Sequence, residues 1–207
     1  DANLVTSLAK NGTHPFGLYF KAPPTGSSEG AKTLTVTLTA TNWQLQCGDS
    51  FTITHTAGVV APVTKTITYG TVSSTLSGAS KCWITQNLGA TTNAASATES
   101  TEPNAGWYWQ FNRKQGFKHD GTTRTPATAW VTSINESSDW IAANDPCTIE
   151  LGTGWRIPTY TEWLNADANG AWGNYTNTYA SVLKLHAAGY INSPNGALTD
   201  RGSFGLY

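Results

Sequence analysis

The 207 residues suffice for one large or two small domains; only 12% of them are charged against 39% hydrophobic, and the formal net charge is −1. Nucleic-acid binding is disfavoured, because Lys and Arg are scattered rather than gathered on a basic face. So is direct membrane insertion: no basic amphipathic stretch exists, and no apolar run approaches the ~18 residues of a spanning helix. The polar surface is built largely from Thr, Ser, Asn and Gln. With nine Trp and three Cys, this composition suits an extracellular, oxidising environment.

Asp1 is not preceded by a basic and then apolar leader, so it reads as a processed or truncated end. Residues 1–30 are rich in Pro and Gly, and His14 to Phe20 forms one candidate strand. Leu34, Val36, Leu38 and Ala40 alternate with Thr33, Thr35, Thr37 and Thr39, and Trp43, Leu45 and Cys47 continue the rhythm. Phe51 and Ile53 alternate with Thr52 and Thr54, and Val63, Ile67 and Tyr69 with Thr64, Thr66 and Thr68. Period two puts apolar side chains on one strand face and Thr on the other. Gly48-Asp49 and Ala61-Pro62 punctuate the runs as turns. The expectation for residues 1–78 is therefore an all-β sandwich of immunoglobulin-like outline. Residues 72–80, rich in Ser, Gly and Thr, are expected to be a linker.

From residue 79 the character changes, and eight of the nine Trp follow. Lys81 to Leu88 reads as a strand and turn, 89–105 as a long loop, and Gly106 to Phe111 as an aromatic strand with Trp107, Trp109 and Phe111 on one face. Ser138 to Asn144 is a short helix candidate stopped by Asp145-Pro146. Thr159 and Glu162 form a capping box, with Trp163 at the staple position, so a helix over 160–168 is expected. A second helix is expected over about 178–187, ending at Gly189, followed by extended Tyr190-Ile191 and a turn at Pro194-Asn-Gly196.

Three segments carry a family resemblance: Cys82-Trp-Ile-Thr-Gln-Asn-Leu88, Gly154-Trp-Arg-Ile-Pro-Thr-Tyr-Thr-Glu-Trp163, and Gly189-Tyr-Ile191 with Gly196, Gly202-Ser-Phe-Gly205 and Tyr207. In this order they resemble the Fibrobacter succinogenes major paralogous domain, found in surface and secreted proteins of Bacteroidetes-type bacteria. The middle motif is also similar to one in the formylglycine-generating enzyme superfamily. The resemblance implies an α+β, C-type-lectin-like domain over 79–207. Family members continue past this point into a Trp-Ser-Ser strand, so a module truncated at its C-terminus, within a longer protein, is expected. Many relatives are exported by the type IX system. The implied setting is the cell surface or exterior of a Gram-negative bacterium. The implied role is non-catalytic binding or adhesion, with a glycan or surface polymer as ligand. The alternative is a structural subunit of a surface filament or secretion-associated assembly, packed against other protein subunits. An enzyme of the formylglycine-generating kind is a further alternative, but Cys82 and Cys147 precede the shared motif, whereas that chemistry uses late cysteines.

Trp155, Arg156, Thr159, Glu162 and Trp163 carry the motif. Cap and staple explain all of them structurally except Arg156, which is left as a ligand-binding candidate. Tyr108, Trp130 and Trp172 are candidate platforms for sugar rings, whose apolar faces stack on aromatics. Glu102-Pro103-Asn104 matches a tripeptide of calcium-dependent lectins, making Glu102 and Asn104 candidate Ca²⁺ ligands, though turn chemistry explains them equally well. No other cofactor is expected. The four His are far apart and no catalytic motif is present. The candidate disulfide is Cys82–Cys147, at the start of the module; Cys47–Cys82 remains the alternative.

Overall fold

The computed structural model describes residues 47–207, all within one compact unit spanning Gln44–Tyr207. The strand alternation around Leu34 to Ala40, the candidate strand at His14 to Phe20, and Trp43 and Leu45 lie outside the described residues. Small antiparallel sheets joined by short helices make up the described part.

The first sheet has the order β1-β2-β3, with β1 at Ser50–His55, β2 at Lys65–Ser74 and β3 at Lys81–Ile84. The expected alternation holds. Phe51 lies opposite Tyr69 and Ile53 opposite Ile67, on the face that carries the core. On the other face the cross-strand pairs Thr52–Thr68 and Thr54–Thr66 join their hydroxyls at 2.7 and 2.8 Å. Leu88, Ile84, Trp109, Cys147 and Leu151 pack against Ile67 and Tyr69. The segment 72–80, expected as a linker, is instead the end of β2 and the hairpin to β3, with Ser73 opposite Cys82. Sheet pairing therefore runs across position 78. The disulfide spans the same region: Cys47 is joined to Cys82, and Cys147 is a free thiol. This corrects the Cys82–Cys147 candidate. Cys82 is held on β3, whereas Cys147 is drawn into the core by the helix that carries it.

Beyond β3 come α1 at Glu102–Ala105, a second sheet of order β4-β5-β6 (Tyr108–Trp109, Gly116–His119, Arg124–Thr125), and α2 at Pro146–Leu151. The aromatic strand is thus shorter than expected. The helix expected over 138–144 shrinks to a 3₁₀ turn at Ala142–Asn144, and Asp145-Pro146 opens a helix rather than closing one. The reason is local: the Asp145 carboxylate accepts from the N–H groups of Cys147 and Thr148, and proline at the first helical position loses no needed hydrogen bond.

Next is α3, Tyr160–Gly170, with its capping box formed as expected. It runs two residues further than the expected 168 and stops at Ala171, which takes a left-handed conformation. The following helix, α4, spans only Tyr175–Ala180. The expected 178–187 helix fails because Ser181 is extended and Lys184 adopts φ 53°, so Leu183 and His186 are buried from irregular chain. The hairpin of β7 (Tyr190–Ile191) and β8 (Leu198–Thr199) closes the chain around the expected turn. Among the described residues no helix is long and apolar enough to cross a membrane.

Candidate functional site

The Gly154–Trp163 motif builds one corner of the molecule. Its anchor is Asp145, 3% exposed, whose Oδ2 accepts from the Ile157 N–H at 2.9 Å while Oδ1 caps α2. Thr148 donates its hydroxyl to the Trp155 carbonyl at 2.7 Å, fastening the loop a second time. The Glu162 carboxylate then accepts from the Thr159 N–H at 2.9 Å and takes both arms of the Arg156 guanidinium at 2.7 Å. That fork holds the Glu162 carboxyl down at about 2. It also accounts for Arg156, the motif residue that cap and staple leave unexplained: its charge is spent on Glu162.

Two tryptophans point from this corner into an aromatic cluster. Trp155 lies 5.6 Å from Phe51, centroid to centroid. Trp163 is the hub, 5.7 Å from Trp83, 6.2 Å from Trp172 and 6.4 Å from Tyr207. Two asparagines of α3, Asn165 and Asn169, donate to the carbonyls of Ser77 and Leu76, strapping the helix to the β2–β3 hairpin and so setting Trp163 against Trp83.

Between these rings and the 183–186 segment lies a half-enclosed cleft of ≈ 190 Å³. Trp83, Trp155, Trp163, Leu183, His186 and Tyr207 line it, with Arg156 at its margin. Burial holds His186 below its ordinary value, so it is the neutral imidazole at pH 7. Its Nε2 is buried without a hydrogen-bond partner, as is the indole N–H of Trp83 in the same wall; the indoles of Trp107, Trp109, Trp140 and Trp172 are likewise unpaired but do not line the cleft. Buried polar atoms are normally paired, so the two in the wall of this recess, Trp83 Nε1 and His186 Nε2, make it a place where an external group can bond. A wider, more open hollow lies beside Ser73–Leu76 and Gly170, lined by small and polar residues with Leu76 and Val182.

The other expected platforms are occupied by the fold. Tyr108 is half-buried; its hydroxyl donates to the Ala188 carbonyl at 2.7 Å and accepts from Arg201 at 2.9 Å. It is a strut between the second sheet and the C-terminal segment, not a free platform. Trp130 donates its indole N–H to the Ser193 carbonyl at 2.9 Å, packs edge-on to Phe117, and carries the Arg124 guanidinium over its ring. Trp172 folds back on the Gly170 backbone, where a Cβ would collide with it, and joins the cluster through Trp163. Glu102 faces Lys118 at 3.6 Å. Asn104 is buried: its Nδ2 donates to the Asn93 carbonyl at 2.6 Å and its Oδ1 takes the Thr101 hydroxyl. Asn104 thus pins the 92–104 loop. Among the described residues no group of three or more His, Cys, Asp or Glu side chains is gathered as a metal-ligand set.

Sequence reasoning did not foresee a buried polar chain. The Gly89 N–H donates to the Tyr69 hydroxyl at 2.9 Å, Tyr69 meets His55 Nε2 at 2.9 Å, and His55 Nδ1 meets Glu150 Oε2 at 2.7 Å. With Tyr69 donating to Nε2 and Nδ1–H donating to the carboxylate, every member is paired. Tyr69 is 0% and His55 1% exposed, so the chain braces the core and is closed to a substrate. These residues are 95 positions apart at the extremes, and no spacing rule links them.

No family model matches this chain, and no curated protein or solved structure matches it either.

Proposed function

We propose that this chain is a non-catalytic binding module of an exported bacterial surface protein, and that it contacts a surface polymer through the cleft around Trp163. The single observation that carries this reading is the half-enclosed aromatic recess with orphaned polar atoms at Trp83 and His186. Binding without chemistry is supported by how the reactive groups are used. His55 and Glu150 are locked in the core, Cys82 is in a disulfide, and burial pushes the Cys147 thiol up to about 12. A formylglycine-generating activity finds no pair of reactive cysteines in this arrangement.

The reading retains the resemblance as its frame: an immunoglobulin-like sandwich followed by a C-type-lectin-like domain, at the surface of a Gram-negative, Bacteroidetes-type cell and exported by the type IX route. The disulfide fits an oxidising exterior. Two polymer classes suit the role, a glycan whose sugar face stacks on an indole and a neighbouring protein subunit of a surface assembly.

The test is retention of beads coated with the chain on arrayed glycans and on immobilised surface protein, compared with beads carrying Trp163→Ala. The expected outcome is capture that drops by about tenfold with the variant. Equal capture by both proteins on every surface would remove the cleft from the function.

A further inference from the structure

The cleft has a second property, which lies in the backbone. Thr85 donates to the Gly70 carbonyl at 2.9 Å, and Thr71 donates to the Asp49 carbonyl at 3.0 Å. In an antiparallel ladder the hydrogen-bonding direction alternates along each strand. On β2, therefore, Gly70, Val72 and Ser74 face β3, and on β3 their partners Lys81, Trp83 and Thr85 face β2. Cys82 and Ile84 must aim their N–H and C=O groups the other way. That side carries no strand among the described residues, since β3 ends the sheet. The cleft runs along this edge: every residue from Cys82 to Leu88 lines it.

An edge that carries no strand among the described residues, beside an apolar recess, is a template for an added strand. The size of the recess agrees. At ≈ 190 Å³ it is smaller than the roughly 300–1,000 Å³ typical of sites for discrete small ligands, and it suits one bulky side chain of a longer polymer. The charge of the rim narrows the partner further. Among the described residues lining the cleft, the charged ones are Arg156 and Lys184, and Arg156 is neutralised by Glu162. Lys184 has the Tyr179 ring beneath its ammonium at 5.1 Å and pairs with no carboxylate among the described residues, and Lys81 stands exposed at the start of β3.

Building on the cleft as the binding site, we infer that its occupant is an extended polypeptide segment of a neighbouring protein, added antiparallel or parallel to β3. It bonds the main chain of Cys82 and Ile84, inserts one aromatic side chain bearing a polar group between Trp83, Trp163 and His186, and sets a carboxylate near Lys184. Main-chain bonds supply affinity and the recess supplies selectivity.

The experiment selects random peptides of about twelve residues from a phage library against the oxidised chain, then measures binding of the enriched peptides. Expected are sequences alternating apolar and polar residues with one aromatic position and an acidic flank. Their binding should fall by about tenfold or more with Ile84→Pro, which removes an outward N–H and leaves the β2–β3 ladder intact. Lys184→Glu should weaken them, and hydrogen exchange at Cys82 and Ile84 should slow on binding. Should Ile84→Pro fail to fold, N-methylation of alternate peptide residues on the native chain gives the same answer: one register abolishes binding and the other leaves it. Selected peptides indifferent to both registers, or protecting amides elsewhere, overturn the inference. A glycan that shifts the Trp83 and Trp163 indole resonances, with no peptide enriched, overturns it while leaving the cleft a binding site; no ligand of either class sinks both proposals.

Discussion

Replacing Tyr69 by Phe isolates the buried chain that joins β1, β2, α2 and the turn at Gly89. The substitution keeps the ring and its packing and removes one oxygen. Two buried groups then lose their partner: the Gly89 N–H and His55 Nε2. Leaving a buried donor or acceptor unsatisfied costs about 1–3 kcal/mol, so Tyr69→Phe should destabilise the chain by about 2–6 kcal/mol. Domains of this kind are stable by about 5–15 kcal/mol, so the loss is a large share of the total. Urea unfolding followed by tryptophan fluorescence measures it, with the midpoint falling and the slope unchanged because the surface exposed on unfolding is the same. Gly89 cannot adapt to fill the gap: it sits at φ 88°, and any side chain there would strike the Trp107 indole. The control is Tyr175→Phe, a half-exposed hydroxyl, expected to shift stability by less than about 0.5 kcal/mol. A loss at Tyr69 no larger than that at Tyr175 would refute the argument that this chain braces the core.

Asp145→Ala removes the acceptor for Cys147, Thr148 and Ile157 at once, and should cost about 2–4 kcal/mol in the same assay, with Asp145→Asn recovering part of it. The Arg156–Glu162 fork predicts a pH signature. Because the folded Glu162 value is depressed to about 2 from 4.5, its contribution is fully present above pH 4.5 and is lost as pH falls through about 2. The stability gap between the native chain and Glu162→Gln, followed by guanidinium unfolding at stepped pH, should therefore be constant near neutrality and close in acid; a gap that widens in acid contradicts the fork. Cys147, partly buried and with its thiol pushed up to about 12, should react slowly with alkylating agents near pH 8 in the native chain and take up one label readily on denaturation. Peptide mapping by mass spectrometry should then show Cys47 and Cys82 labelled only after reduction; a linked Cys82–Cys147 peptide would contradict this pairing.

Much of the local structure was legible in the residues. Alternation over 51–54 and 63–69 placed the inward faces of β1 and β2, and the capping box at Thr159 started α3 at its observed first residue. These signals are carried by neighbours one to four positions apart, where backbone geometry leaves few options. The failures share a cause. Asp145-Pro146 has the chemistry of a helix start as well as of a helix stop, and only the burial of Cys147 and Leu151 beside Ile67 and Tyr69 decides for the start. Helical spacing over 182–186 was outweighed by the extended Ser181 and by Lys184 in the left-handed region.

The candidate site divides in the same way. From the residues alone came the Thr159–Glu162 capping box with Trp163 beside it, because its bonds lie within one turn of chain. Only the tertiary structure brought Trp83, His186 and Tyr207 to that corner, matched Arg156 with its carboxylate, and spent Tyr108 and Trp130 on internal struts. Sequence sets which groups can bond and which face each presents. Which distant groups meet, and which are left without a partner, depends on how sheet, hairpin and helix pack, and that is a property of the whole chain.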